Sequence, residues 1–186
     1  YVVSTVYAII AAVVVVIVAL VAARLITKAK HKLDKMLEPL VLIPWLLPST
    51  MIALGMMMTY DEPRWNIGNK VLVATPLIML IAYIIVKIPF SYRMVRAAFM
   101  GLDGNLEEAA QVMGAKPFYT MRKVILPIIM PVVLSVVVMN FISLLSEYDL
   151  SVFLYHPSYR PLGIEIKLAT DETATIDAQA MAFVYT

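Results

Sequence analysis

Apolar residues in this chain gather into long runs instead of alternating with polar ones, and short polar stretches separate five such runs. A helix needs about 20 apolar residues to cross a bilayer, and a run of that length has no face left over for water. Four runs meet the length: from about Val2 to Ile26, Leu37 to Tyr60, Val71 to Phe90, and Val124 to Leu145. A fifth begins near Ala178 and is cut off at Thr186, and the chain opens without an initiator Met, so it reads as a fragment of a longer protein. The first run is too long for a signal peptide, lacks a basic start and is followed by further runs. The pattern predicts an all-α polytopic membrane protein with four complete spans plus a truncated fifth.

Proline modifies the picture. Pro39, Pro44 and Pro48 fall in the second run, Pro76 and Pro89 in the third, and Pro127 and Pro131 at the start of the fourth. Each interior proline removes a backbone hydrogen bond and costs about 3 kcal/mol in an ordinary helix, so the second span is expected to bend. Beyond the fourth run, residues 148–176 mix polar and apolar positions, with Pro157 and Pro161 at a turn and a β-prone stretch from Gly163 to Ile166.

Charge orients the spans, because Lys and Arg collect on the cytoplasmic side. The loop after the first span carries Arg24, Lys28, Lys30, Lys32 and Lys35, and the one after the third carries Lys87, Arg93, Arg96, Lys116, Arg122 and Lys123. Both are expected inside. By alternation, the turn from Asp61 to Lys70 and the segment 147–177 lie outside, the latter with Glu147, Asp149, Glu165, Asp171, Glu172 and Asp177 against Arg160 and Lys167. Lys87 is placed near the cytoplasmic end of its span, where its stem can snorkel.

Composition agrees with a membrane chain: 62% of residues are hydrophobic and 15% charged, and mean hydropathy is +0.86. A net charge of +2 confined to two loops gives no surface for nucleic acid. Met56, Met57 and Met58 point in three directions on a helix and cannot converge on a soft metal, and His31 and His156 fall on opposite sides. No metal, cofactor or catalytic group is implied. With no titratable side chain assigned to mid-span, the polar residues left to line a path are chiefly Ser49, Asn140 and Ser143. Asn140 and Ser143 lie one turn apart on one helix face, where they either contribute to a path or form interhelical hydrogen bonds.

A polar island lies between the third and fourth spans, from Glu107 to Pro127. It reads as two short helices with a hinge: Asn105 caps the first, Glu107 and Glu108 suit its positive end, Gly114 closes it, and Pro117 opens the second. Its spacing is Glu108-Ala109-Ala110, three residues, Gly114, nine residues, Val124, one residue, Leu126-Pro127. This spacing resembles the EAA loop of permeases of ATP-binding cassette (ABC) importers, with Val124 where the family usually has Ile. The stretch from Ile43 to Thr50 (Ile-Pro-Trp-Leu-Leu-Pro-Ser-Thr) is similar to the second core helix of the ferric iron, thiamine, phosphonate and polyamine branch, with Ser49 in place of a frequent Gly. The run from Leu145 to Tyr155 resembles the matching part of the ferric iron branch.

The resemblance covers nearly the whole chain and implies the five-helix core of a type I importer permease in the bacterial plasma (inner) membrane. It implies that residues 1–186 form one permease core, with a cytoplasmic coupling loop over 91–123 and an extracytoplasmic loop over 147–177. It further implies that Glu108, Ala109, Ala110, Gly114, Pro117, Phe118, Tyr119, Leu126 and Pro127 couple the permease to a separate ATPase. The partners implied are ABC ATPase subunits, an extracytoplasmic substrate-binding protein and a second permease core. No Gly-x4-Gly-Lys-Ser/Thr run is present, so ATP hydrolysis is expected in trans. Ferric iron stands first as substrate, with polyamine, thiamine and phosphonate behind it. An intramembrane enzyme is disfavoured by the lack of a Gly-x-Ser-x-Gly, paired-Asp or His-Glu-x-x-His site, and a passive channel has no need of a coupling loop.

Overall fold

A computed structural model describes residues 2–28, 36–63, 68, 71–156 and 158–170. The fifth apolar run from Ala178, the loop residues Lys30, His31, Lys32 and Lys35, Pro157, and most of the expected turn up to Lys70 lie outside the described residues.

Helix α1 (Val2–Thr27) is apolar on all sides and divides by size. Its small residues Ala8, Ala11, Ala12, Ala19 and Ala23 are buried, whereas Ile9, Ile10, Val13, Ile17, Val21 and Leu25 are exposed. A stripe of alanines lets a neighbouring backbone come close, which is how apolar helices pack where lipid is as oily as the protein. That neighbour is α4 (Pro76–Met100), the principal partner of α1. Thr75 starts α4 by accepting from the Ile78 N–H, and Pro76 supplies the first turn. The helix extends past Phe90, where the purely apolar run ends, because Ser91, Tyr92, Val95 and Phe99 continue one buried face. Ten residues of the 91–123 segment are therefore helix and continuous with the span.

The second apolar run is broken outright. Helix α2 (Leu37–Leu42) passes into a 3-10 turn (Ile43–Leu46), and the chain then bends by 101° into α3 (Ser49–Tyr60). Leu47 is extended at the break, as a residue preceding proline prefers, and the Pro48 carbonyl accepts the first N–H groups of α3. The expected single bent span is thus a broken or re-entrant one.

Two short helices, α5 (Asn105–Val112) and α6 (Pro117–Thr120), follow; a π-helical turn (Met121–Ile125) then leads into α7 (Leu126–Leu145). From Pro117 to Leu145 the chain forms one helical rod of 29 residues. Three helices are long and apolar enough to cross a membrane, or four if the bent pair is one span. Helices α8 (Ser151–Leu154) and α9 (Leu162–Thr170) complete the described chain. The β-prone stretch at Gly163–Ile166 is helical: the Pro161 carbonyl accepts from Ile164 and Glu165, and Ser4 Oγ on α1 accepts from Leu162 at 2.6 Å. Among the described residues the only β pairing is an isolated bridge between His156 and Tyr159, so the fold is all-α.

Candidate functional site

The hinge between α4 and α7 is built from local hydrogen bonds. Asp103, not Asn105, receives the start of α5: its carboxylate accepts from the Asn105 N–H at 3.0 Å, which makes Asn105 the first helical residue. At the other end, the Gly114 N–H donates to the Gln111 carbonyl at 2.8 Å and the Ala115 N–H to the Ala110 carbonyl at 2.9 Å. This pair of bonds is the Schellman closure, which needs a left-handed residue, and Gly114 has φ +80°. Nothing lies within 4 Å of where a Cβ would stand, so backbone conformation rather than space requires glycine here. Lys116 then extends, and Pro117 opens α6.

The two arms differ in what they touch. Ala110 is buried, while Glu108 and Ala109 are exposed. Glu107 pairs with the Arg24 guanidinium and, at 2.7 Å, with the Lys28 ammonium, tying α5 to the end of α1. Burial alone would raise the Glu107 pKa; the hydrogen bonds from Lys28 and Arg24 and their charges outweigh it and hold the carboxyl below its ordinary value. At the tip, Val112 is 88% exposed, Met113 81%, Phe118 77% and Tyr119 57%. Ala110, Met113, Gly114, Ala115, Lys116, Tyr119 and Val124 line a hollow of about 440 Å³ between the arms. The result is a rigid hinge presenting apolar and aromatic side chains beside a recess.

Leu126 and Pro127 sit where the π turn meets α7. In an α-helix a proline ring collides with the carbonyl four residues back; here the turn widens and Leu126 N–H bonds to Met121 five residues back. The knob is thereby continuous with the spanning helix.

Of the candidate path residues, Asn140 and Ser143 both reach α4 from α7. The buried Asn140 amide donates to Ser91 Oγ at 2.7 Å, and Ser143 Oγ accepts from Lys87 at 2.8 Å. Ser49 is half-buried beyond the sharp bend, at the start of α3, and forms no hydrogen bond with this set. Lys87 is not at a helix end: it lies near the middle of α4 and pairs with Glu147 at 3.1 Å. Tyr83 and Ser151 share a hydroxyl hydrogen bond of 2.7 Å one turn further along. Lys87, Ser91, Glu107 and Glu147 are thus residues whose roles the chain's pattern did not reveal. The spacing of Tyr83, Lys87 and Ser91 at every fourth position is the signal that marked one polar face on α4.

The C-terminal half of α4 carries two further cations with partners. Arg96 pairs with Glu38 on α2, and the Arg93 guanidinium lies 4.8 Å from the centre of the Trp45 ring.

Comparison with known proteins gives the family. Residues 15–186 match the family described as binding-protein-dependent transport system inner membrane component. A probable ABC transporter permease protein, y4fN, of Sinorhizobium fredii is 35% identical over 166 residues, which is 89% of this chain and 29% of that protein. A probable sulfate transport system permease protein, cysT, of Prototheca wickerhamii is 30% identical over 76% of this chain and 57% of its own length. A putative 2-aminoethylphosphonate transport system permease protein, PhnV, of Salmonella paratyphi A is 26% identical over 82% and 56%. The chain therefore spans between 29% and 57% of the length of these relatives. The inward-facing MetNI methionine ABC transporter superposes with a TM-score of 0.77 over 98% of this chain and 84% of that one; at 18% identity the likeness is one of fold. The chain belongs to the binding-protein-dependent transport system inner membrane component family, the type I ABC importer permeases, as a multi-pass protein of the bacterial plasma membrane.

Proposed function

We propose that this chain is the part of an ABC importer that forms the translocation path and couples it to ATP hydrolysis by a separate ATPase. One observation carries the reading. The exposed apolar tip of Val112, Met113, Phe118 and Tyr119 is fixed by the Gly114 closure, and its aromatic pair stands on a rod that runs unbroken into α7. Exposed aromatic side chains on a short rigid hinge are costly in water and suit a protein groove. Movement of an ATPase against this knob is transmitted to the span as rigid-body motion. The exposed Glu108 and Ala109 contact the ATPase, while Ala110, Pro117, Leu126 and Pro127 maintain the knob's shape. Residues 91–123 face the cytoplasm in this reading, and 147–177 lie toward the outside, where a substrate-binding protein docks. A second permease core completes the path, to which Ser49, Asn140 and Ser143 contribute.

The resemblance puts ferric iron first as substrate, with thiamine and polyamine behind it. The names of two relatives support a second reading, a small oxyanion such as sulfate or a phosphonate. Isolating the cognate binding protein and identifying its bound solute decides between them. Co-purification tests the coupling role: an ATPase that travels with the wild type and is lost from Phe118→Ala/Tyr119→Ala supports it. Full retention by that variant overturns it.

A further inference from the structure

The buried core comprises two apolar clusters. One gathers around Tyr92, Val95, Phe99 and Ile125, the other around Ile78, Met79, Ala82, Tyr83 and Leu150. Between them, the face of α4 that meets α7 turns polar at Lys87 and Ser91, which meet Ser143, Glu147 and Asn140. Lys87 lies 11 residues from Pro76 in a helix of 25 residues, about 16 Å along its axis. Glu147 reaches it from the segment leaving α7, and the two charged side chains are 15% and 13% exposed. Ser143, which accepts from the same ammonium, lies on the exposed surface of the chain.

An ion pair in this layer gives up hydration that mutual attraction seldom restores, and an apolar pair of like volume would hold the helices at least as well. Cohesion alone does not account for these residues. Unlike apolar packing, a charge pair opens at one defined point and closes again in one defined register. Its neighbours suit that use: Ser143 seats the ammonium, and the Tyr83–Ser151 bond holds the far end of the same segment.

We propose that Lys87 and Glu147 form a releasable latch between α4 and the α7–α8 connection, closed in the resting state and opened once in each transport cycle. The latch rests on the permease reading above. Closed, it fastens residues 146–151 against α4 at the seam between the two apolar clusters. Open, it lets those clusters shift relative to each other and leaves both charges facing the path. Lys87 and Glu147 are positioning residues: they set which state the path occupies.

The experiment uses the complete importer, reconstituted with its ATPase and binding protein, and measures ATP hydrolysis with and without the binding protein. Neutralising the pair as Lys87→Met/Glu147→Gln is expected to raise basal hydrolysis on the order of tenfold and abolish stimulation, because a neutral pair packs the helices without singling out the closed register. Exchanging the charges as Lys87→Glu/Glu147→Lys is expected to restore stimulation. A neutral pair with wild-type stimulation overturns the latch, and so does an exchanged pair that behaves like the neutral one. Should the neutral pair fail to assemble, Ser143→Ala, which keeps both charges but removes their seat, is expected to raise basal hydrolysis; wild-type behaviour of that variant also overturns the latch. If the wild-type assembly shows no stimulation at all, the permease reading fails instead.

Discussion

Asn140 and Ser91, 49 residues apart in the chain, meet across 2.7 Å where α7 crosses α4, and Asn140 is 1% exposed. A buried amide in an apolar layer needs its partner, yet interhelical bonds of this kind are worth only about 0.6 kcal/mol in membrane proteins. In a double-mutant cycle of Ser91→Ala and Asn140→Ala, thermal unfolding in detergent is therefore expected to give a coupling of that size. A coupling near zero would show that the contact does not stabilise the helix pair.

Gly114→Val is expected to destabilise the hinge by about 1–2 kcal/mol, because a β-branched residue is strained at positive φ. Since a Cβ there meets nothing, Gly114→Ala is expected to lie between glycine and valine. In the assembled importer the valine variant should hydrolyse ATP without transport. Normal coupling in a well-expressed variant would contradict the hinge.

Glu108 is exposed and Glu107 is tied to α1, so the two neighbouring acids should respond differently to change. Glu108→Lys is expected to leave folding intact and abolish coupled transport. Unchanged transport would argue against an ATPase contact.

Glu107 gives a pH signature. Its folded pKa is lowered, so the stability it contributes is complete above the ordinary glutamate value of 4.5 and is lost as pH falls below that through the depressed value. Hydrogen exchange along α5 should accelerate over that acid window in the wild type. In Glu107→Gln it should be faster at neutral pH and change little on acidification.

The chain contains no cysteine, so Lys116→Cys supplies a single thiol at the hinge. A membrane-impermeant maleimide is expected to label it in inverted vesicles and not in intact cells. Labelling from outside would reverse the topology and remove the coupling role.

Much of this architecture was legible in the residues alone. The hinge was, because Gly114 and Pro117 act through local backbone chemistry that needs no knowledge of neighbours, whereas Glu107 finds its partners on α1. The long spans were, because lipid-facing and core-facing residues are equally apolar. The middle of α4 was not: the apolar run stops at Phe90 while the helix continues to Met100, which displaced Lys87 toward an apparent end. Its partner Glu147 is 60 residues away, beyond any local pattern. The helix at Gly163–Ile166 was missed for a similar reason, since the Ser4 hydroxyl that receives its first N–H comes from α1. Asn105 is a good capping residue by type, but the backbone puts Gly104 at the cap position with no side-chain bond, and the Asp103 carboxylate just before it accepts the Asn105 N–H.

The widened turn from Met121 to Ile125 carries one residue more than an α-helical turn would. Each residue rotates a helix by about 100°, so this insertion sets the azimuth at which Phe118 and Tyr119 leave the rod relative to the face of α7 that meets α4. Removing Lys123 and restoring a uniform helix would swing the aromatic pair by about that angle while every side chain of the knob remained present. The interval between Gly114 and Leu126-Pro127 thus acts as a clocking dimension, in which the number of residues matters as much as their identity.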